Sequence, residues 1–219
     1  MSFNELWAQF GQNYLDALLT TWGMTAVCFI GVMVVAIFMT VLRVSPVRPL
    51  RWLGDVYVQI FRNIPGVSLL ILVVYALPNL NITLDYMTCV LVTVILVAGA
   101  FGSENFMSGI NTIGVGQVEA ARSLGMSFGK MLRLIIIPQA LRQTILPMTN
   151  LLIAVMLTTA LGSQVPLATP ELTGVVSYIN TRATGGILAF AISALGYALT
   201  ALVMAQVGSK LDKKVRVLK

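Results

Sequence analysis

Histidine is absent and acid is scarce: eight Asp and Glu face fourteen Lys and Arg, and charged residues of both signs fill only 10% of 219 positions. Without histidine, the usual acid–base group near neutral pH is missing and a catalytic metal site loses its commonest ligand. Cysteine is nearly absent too. Cys28 and Cys89 each stand inside an apolar run, a spacing that forms neither a zinc pattern nor a disulfide framework, so two inert packed thiols are expected. No Ser/Lys or paired-Asp arrangement lies within the apolar runs, which argues against an intramembrane enzyme and leaves no catalytic residue to name. The first twenty residues hold Glu5 and Asp16 but no Lys or Arg, so the positive leader of a cleaved signal peptide is missing and insertion falls to the spans themselves.

What the sequence has is apolar mass, with 58% hydrophobic residues and a mean hydropathy of +0.89. Soluble domains carry about 25% charged residues, so lipid is the expected main solvent. A helix needs roughly 20 apolar residues to cross a bilayer core about 30 Å thick. On that criterion spans are expected at residues 24–42, 86–103, 145–165 and 185–207. Residues 65–77 are apolar but too short alone, and borrow the preceding turns from Val56 with a kink near Arg62, Asn63 and Pro65. Arg62 is expected to snorkel there toward an aqueous surface. The fold class is therefore an all-α membrane protein of about five transmembrane helices, one domain over residues 1–219.

The net charge of +6 fits cytoplasmic loops better than nucleic-acid binding, because no soluble basic surface remains once the spans are removed. Thirteen of the fourteen basic residues fall on one side of the spans, with Arg182 alone on the other. Positive charge in short loops stays cytoplasmic. The N-terminus is thus expected outside and the C-terminus in the cytoplasm, with an external loop over 166–184. Trp7, Trp22, Trp52 and Tyr57 are expected at the membrane interfaces, in contact with lipid.

The polar segment 111–133 stands out from this background. After Gly114 and Gly116 the chain reads QVEAARSLGMSFGKMLRLIIIPQALR. Its first half is a strong helix former, Gly125 is placed to close that helix in a left-handed conformation, and a second helix is expected from near Ser127. Together they make a projecting hairpin. Small Ala120 and Ala121 permit close approach to another surface, Leu124 supplies an apolar anchor, and Glu119 and Arg122 can pair with polar groups at the rim, which suits helix-in-groove recognition. An ordinary helix lying on the surface fits the same features, and composition does not separate the two. GMSFGKM, residues 125–131, only mimics a phosphate-binding loop: its glycine spacing is one short and Met131 replaces the metal-binding hydroxyl. ATP hydrolysis is not expected on this chain.

EAARSLG followed by IIIPQALR resembles the cytoplasmic coupling loop of ABC importer permeases, and VYVQIFRNIPGVSLLILVVYALP, GQ at Gly116 and Gln117, and PMTN at 147–150 are similar to the polar amino acid uptake branch. The resemblance covers most of residues 56–173. It implies a coupling-helix hairpin on the cytoplasmic face, with Glu119, Ala120, Ala121, Leu124 and Gly125 seated in a cleft of a separate ATP-binding subunit. It further implies a second permease subunit, an external substrate-binding protein, no cofactor bound by this chain, and ATP with magnesium on the partner ATPase. Import of L-glutamate is the favoured activity, with glutamine or another polar amino acid next. A secondary transporter working without ATP is the rival, and would call for coupling-ion acids deep in the membrane.

Four residues are candidates for the substrate path. Glu104 is the one acid near the inner end of a span, where an ionisable group suggests function unless it has reached the interface. GAFGSENFMSGI, residues 99–110, is similar to the family segment holding a comparable acid, but Met107 replaces the basic residue usually found three positions later. Asn150, Thr158 and Thr159 can bind a zwitterion or bridge helices. The family counterpart of LTTAL, residues 157–161, usually begins with Lys and an acid or amide. Their absence implies the less substrate-engaged half of a heterodimer.

Overall fold

A computed structural model describes residues 2–183 and 186–216. Thr184, Gly185 and Lys219, which the sequence reading places at loop, span and tail ends, lie outside the described residues. Among those described there is no strand. Helices α1 (Phe3–Val44), α2 (Arg48–Asn63), α3 (Gly66–Tyr75), α4 (Tyr86–Asn111), α5 (Val115–Ser123), α6 (Phe128–Met131), α7 (Ile137–Thr158), α8 (Gly174–Asn180) and α9 (Gly186–Arg216) follow in order, with 3-10 turns at Leu77–Leu80 and Thr159–Gln164 in the longer connections. Among the described residues, four stretches are long and apolar enough to cross a membrane: Phe3–Val44, Tyr86–Asn111, Phe128–Gln164 and Gly186–Val215. The pair α2 and α3 supplies a fifth if taken as one span.

The expected kink in the second span is far sharper, a bend of 100° between α2 and α3. Pro65 explains the stop: it lacks an N–H, and it drives the preceding Ile64 to extended backbone, here ψ 126°. Arg48, Arg51, Asp55, Gln59 and Arg62 fall on one stripe of α2, and the buried Gly54 and Val58 lie along its flank.

Helix α1 also departs from expectation, running 42 residues, about 63 Å at 1.5 Å per residue. Gln9, Gln12, Asn13 and Asp16 interrupt the apolar block and hide the helix from a hydropathy reading. They leave one face to Leu6, Phe10, Tyr14 and Ala17, which pack on Leu172, Val175, Ile179 and Ala189. The Tyr14 hydroxyl donates to the Ala189 carbonyl at 2.9 Å. Ser2 and Glu5 close the helix start as a reciprocal capping box.

The main core joins α1, α3, α4 and α7 around Cys28, Val32, Ala36, Leu70, Val90, Val94, Leu151 and Val155. Both cysteines are free and buried. In lipid, close packing of small residues replaces the hydrophobic force between helices. A Cβ on Gly102 would stand 2.7 Å from the Ala36 Cβ, and one on Gly109 would stand 2.9 Å from the Ala140 carbonyl oxygen. Between α6 and α7 the helix widens into a π-helical turn at Leu132–Ile136. Pro138 causes it, since it can neither donate an amide nor sit under the carbonyl four residues back.

Candidate functional site

The hairpin of α5 and α6 is built from its turn. Leu124 caps α5 and Gly125 follows in the left-handed region at φ +71°. The Gly125 amide donates to the Arg122 carbonyl at 2.9 Å and the Met126 amide to the Ala121 carbonyl at 3.1 Å. These paired bonds form a Schellman motif, in which glycine avoids the Cβ penalty. Ser127 precedes α6 as expected.

Side-chain burial divides the predicted coupling residues. Ala121 is only 2% exposed and packs with Met131 and Ile136, against Ile110, Ile113 and Val118. It therefore shapes the hairpin from within, where the sequence reading had placed it at a contact surface. Glu119, Ala120 and Gly125 are exposed, and Leu124 is 81% exposed. This bare apolar side chain stands at the same end of the hairpin as the exposed Glu119. Gln139 Nε2 donates to Gln117 Oε1 at 2.7 Å, tying α5 to α7.

A polar network joins α1, α2 and α4. Arg43 pairs through Nε with Asp55 Oδ1 at 2.8 Å and through Nη2 with Glu104 Oε1 at 2.8 Å. Its Nη1 donates to the Ser103 hydroxyl at 3.2 Å. Arg62 lies 3.4 Å from the same Glu104 oxygen and 5.5 Å from the centroid of the Phe101 ring. Arg62 is thus engaged by Glu104 and Phe101 while its side chain stays 39% exposed. Glu104, deprived of a basic neighbour on its own helix by Met107, takes its cations from two other helices.

Beside this network, α4 and α7 enclose a pocket of about 470 Å³ lined by Phe101, Asn105, Pro147, Asn150, Ala154 and Thr158, among others. Asn105 Nδ2 donates to the Pro147 carbonyl at 3.2 Å. The Thr158 hydroxyl donates to the Ala154 carbonyl at 2.7 Å. Thr159 points elsewhere: it is buried, and donates to the Met156 carbonyl at 2.6 Å. The structure therefore brings Asn150 and Thr158 to one pocket, sets Glu104 in the adjacent network, and separates Thr159 from both.

Sequence reasoning missed Glu171, which is 0% exposed. Its carboxylate accepts the Thr173 amide at 2.5 Å, the Gly174 amide at 2.7 Å and the Tyr197 hydroxyl at 2.8 Å. Thr21 Oγ1 accepts the Leu172 amide at 3.1 Å. The loop before α8 is thereby pinned to α1 and α9. An acid in the otherwise acid-free loop, just before a helix start, was the available signal. At the same end of the bundle Asp85 caps α4, accepting the Thr88 hydroxyl at 2.6 Å and its amide at 3.0 Å, and these bonds hold its carboxyl below the usual range.

The family model of the binding-protein-dependent transport system inner membrane component matches residues 32–217. The chain belongs to that family. Its hairpin and bundle thus sit in a permease component of ABC importers, multi-pass in the inner membrane, and the resemblance to that family holds. The glutamate transport system permease protein GluC of Corynebacterium efficiens is 35% identical over 99% of this chain and 100% of its own length. The L-cystine transport system permease protein TcyB of Bacillus subtilis is 37% identical over 66% of this chain and 62% of its own. A crystal structure of an amino acid ABC transporter with histidines superposes at a TM-score of 0.91, with 22% identity, covering 98% of this chain and 99% of that one.

Proposed function

We propose that this permease imports a polar amino acid, with L-glutamate the favoured cargo and glutamine next. Full-length similarity to a glutamate permease supports glutamate, while similarity to a cystine permease over part of the chain keeps the wider class in view. The observation that carries the mechanism is the capped hairpin, which bares Glu119, Ala120 and Leu124 beside Gly125 while Ala121 roots it in the bundle.

In this reading an ATP-binding subunit in the cytoplasm receives Leu124 in an apolar cleft and pairs with Glu119 at the rim. ATP and magnesium bind there, and hydrolysis occurs on that partner. A second permease subunit faces the pocket between α4 and α7, and an external binding protein delivers the amino acid. The hairpin end, with Arg122, Lys130, Arg133 and the Lys210, Lys213 and Lys214 tail, is cytoplasmic, while α8 and Arg182 are external. Closure of the ATPase pulls on both hairpins and alternates access to the pocket.

The test is uptake of labelled glutamate and glutamine into proteoliposomes holding the chain with its copurified partners. Uptake is expected to need ATP, the binding protein and an intact Glu119, and Glu119→Lys is expected to abolish it while the protein still inserts. Flux through the chain alone without ATP would refute the reading.

A further inference from the structure

The two cations on Glu104 are unequal. Arg43 is 12% exposed in its side chain and is fixed by Asp55, Glu104 and Ser103 on two other helices. Arg62 is 39% exposed, makes the longer 3.4 Å contact, and rests on the face of Phe101. Phe101 is also a wall of the pocket between α4 and α7, whose lining includes amides and a hydroxyl but no ionised side chain. A carboxylate bound against such a wall finds hydrogen-bonding groups but no countercharge, and gains from a cation beside it. Arg62 is positioned to provide it.

We propose that Arg62 is a substrate-binding residue of the permease: it leaves Glu104 to bind the carboxylate of a passing amino acid, while Arg43 stays on Glu104 and keeps that charge paired. This inference rests on the amino acid reading above. Exchange of one ion pair for another is inexpensive here because neither acid is stranded: Glu104 retains its 2.8 Å partner and Asp55 retains Arg43. Arginine suits the task, since its planar fork matches a carboxylate and its face stacks on an aromatic ring. The reverse assignment, with Arg43 as the mobile cation, would release Asp55, Glu104 and Ser103 together.

The experiment compares the complete reconstituted complex with Arg62→Gln, Arg62→Lys, Glu104→Gln and the double variant Arg62→Gln/Glu104→Gln. Uptake of labelled glutamate and glutamine is measured at saturating binding protein, and assembly is judged by copurification with the ATPase. Arg62→Gln is expected to lower uptake about tenfold, the scale of one lost charge-assisted contact. Arg62→Lys should fall between that variant and the unaltered complex, since it keeps the charge but loses the fork and the stacking. The double variant, read against Glu104→Gln alone, decides between roles: if Arg62 only neutralises Glu104, the two take up cargo equally and the proposal is overturned. If Arg62 serves the cargo, the double variant falls about tenfold below Glu104→Gln although the complex assembles. Should Arg62→Gln alone fail to assemble, the double variant still carries the decision, because it leaves no unpaired acid. Normal uptake by Arg62→Gln would also overturn the proposal. No amino acid uptake by the unaltered complex would instead overturn the amino acid reading, and this inference with it.

Discussion

Replacement of Gly125 isolates the turn of the hairpin from everything around it. A Cβ added there meets no atom within 4 Å, so the cost is set by the backbone at φ +71° and not by collision with neighbours. For an L-residue in that region the penalty is about 1–2 kcal/mol, while asparagine tolerates it better and a β-branched side chain is worst. Two hydrogen bonds depend on the turn, those accepted by the Arg122 and Ala121 carbonyls. At about 1.4 kcal/mol per factor of ten, Gly125→Ala is expected to reduce the capped population about fivefold to thirtyfold relative to uncapped forms. Gly125→Asn should fall between glycine and alanine, and Gly125→Val below both. The assay is retention of the ATPase on the detergent-solubilised permease together with ATP-driven uptake, both following the order Gly, Asn, Ala, Val. Equal performance by Val and Asn would show that the left-handed turn does not control docking.

Arg43→Met leaves Glu104 with its looser cation and Asp55 with none; allowing for their exposure to water, a loss of about 2–3 kcal/mol is expected, read as lowered thermal stability in detergent, and unchanged stability would refute the node. Gly109→Leu drives a side chain into the Ala140 carbonyl and the Thr144 methyl. It should separate α4 from α7 and prevent a folded monodisperse permease, whereas Gly114→Leu, with open space around it, should be recovered normally; equal yields would contradict the close packing. Glu171→Gln sets an amide donor against groups that already donate, so about 1–3 kcal/mol is expected to be lost. That corresponds to several degrees in melting temperature, and no shift would mean the buried carboxylate is not holding the loop.

How much could be read from sequence depended on whether the signal was local. The hairpin was legible because its parts are neighbours: a helix-forming run, Gly125 at the required offset, and Ser127 to begin the next helix. The apolar blocks of α4, α7 and α9 were legible for the same reason, although their helices extend beyond the blocks at one or both ends. The N-terminal half of α1 was not, because its polar face lowers average hydropathy without interrupting the helix. Pro65 signalled an interruption but not its angle, which is set by the packing of α2 across α1 and α4, as at Gly54 beside Arg43. The pairing of Glu104 with Arg43 and Arg62 depends on depth and rotation of separate helices, which no local spacing encodes.

The same geometry bears on how a force at the hairpin could reach the pocket. Ala121 of α5 is buried in a cluster that also holds Ile110 from the end of α4 and Ile136 from the turn before α7. In the proposed reading, a partner gripping Leu124 would act on both helices that wall the pocket, and the tight fit of Gly109 on Ala140 would oppose their sliding at that level. Farther along, α4 carries Phe101 and Asn105, and α7 carries Asn150 and Thr158. Rigid coupling at one end and a pocket farther along the same helix pair favour a tilt that moves the pocket walls as a unit. The Arg43 node, which holds α1 and α2 to α4, would then carry those helices with it.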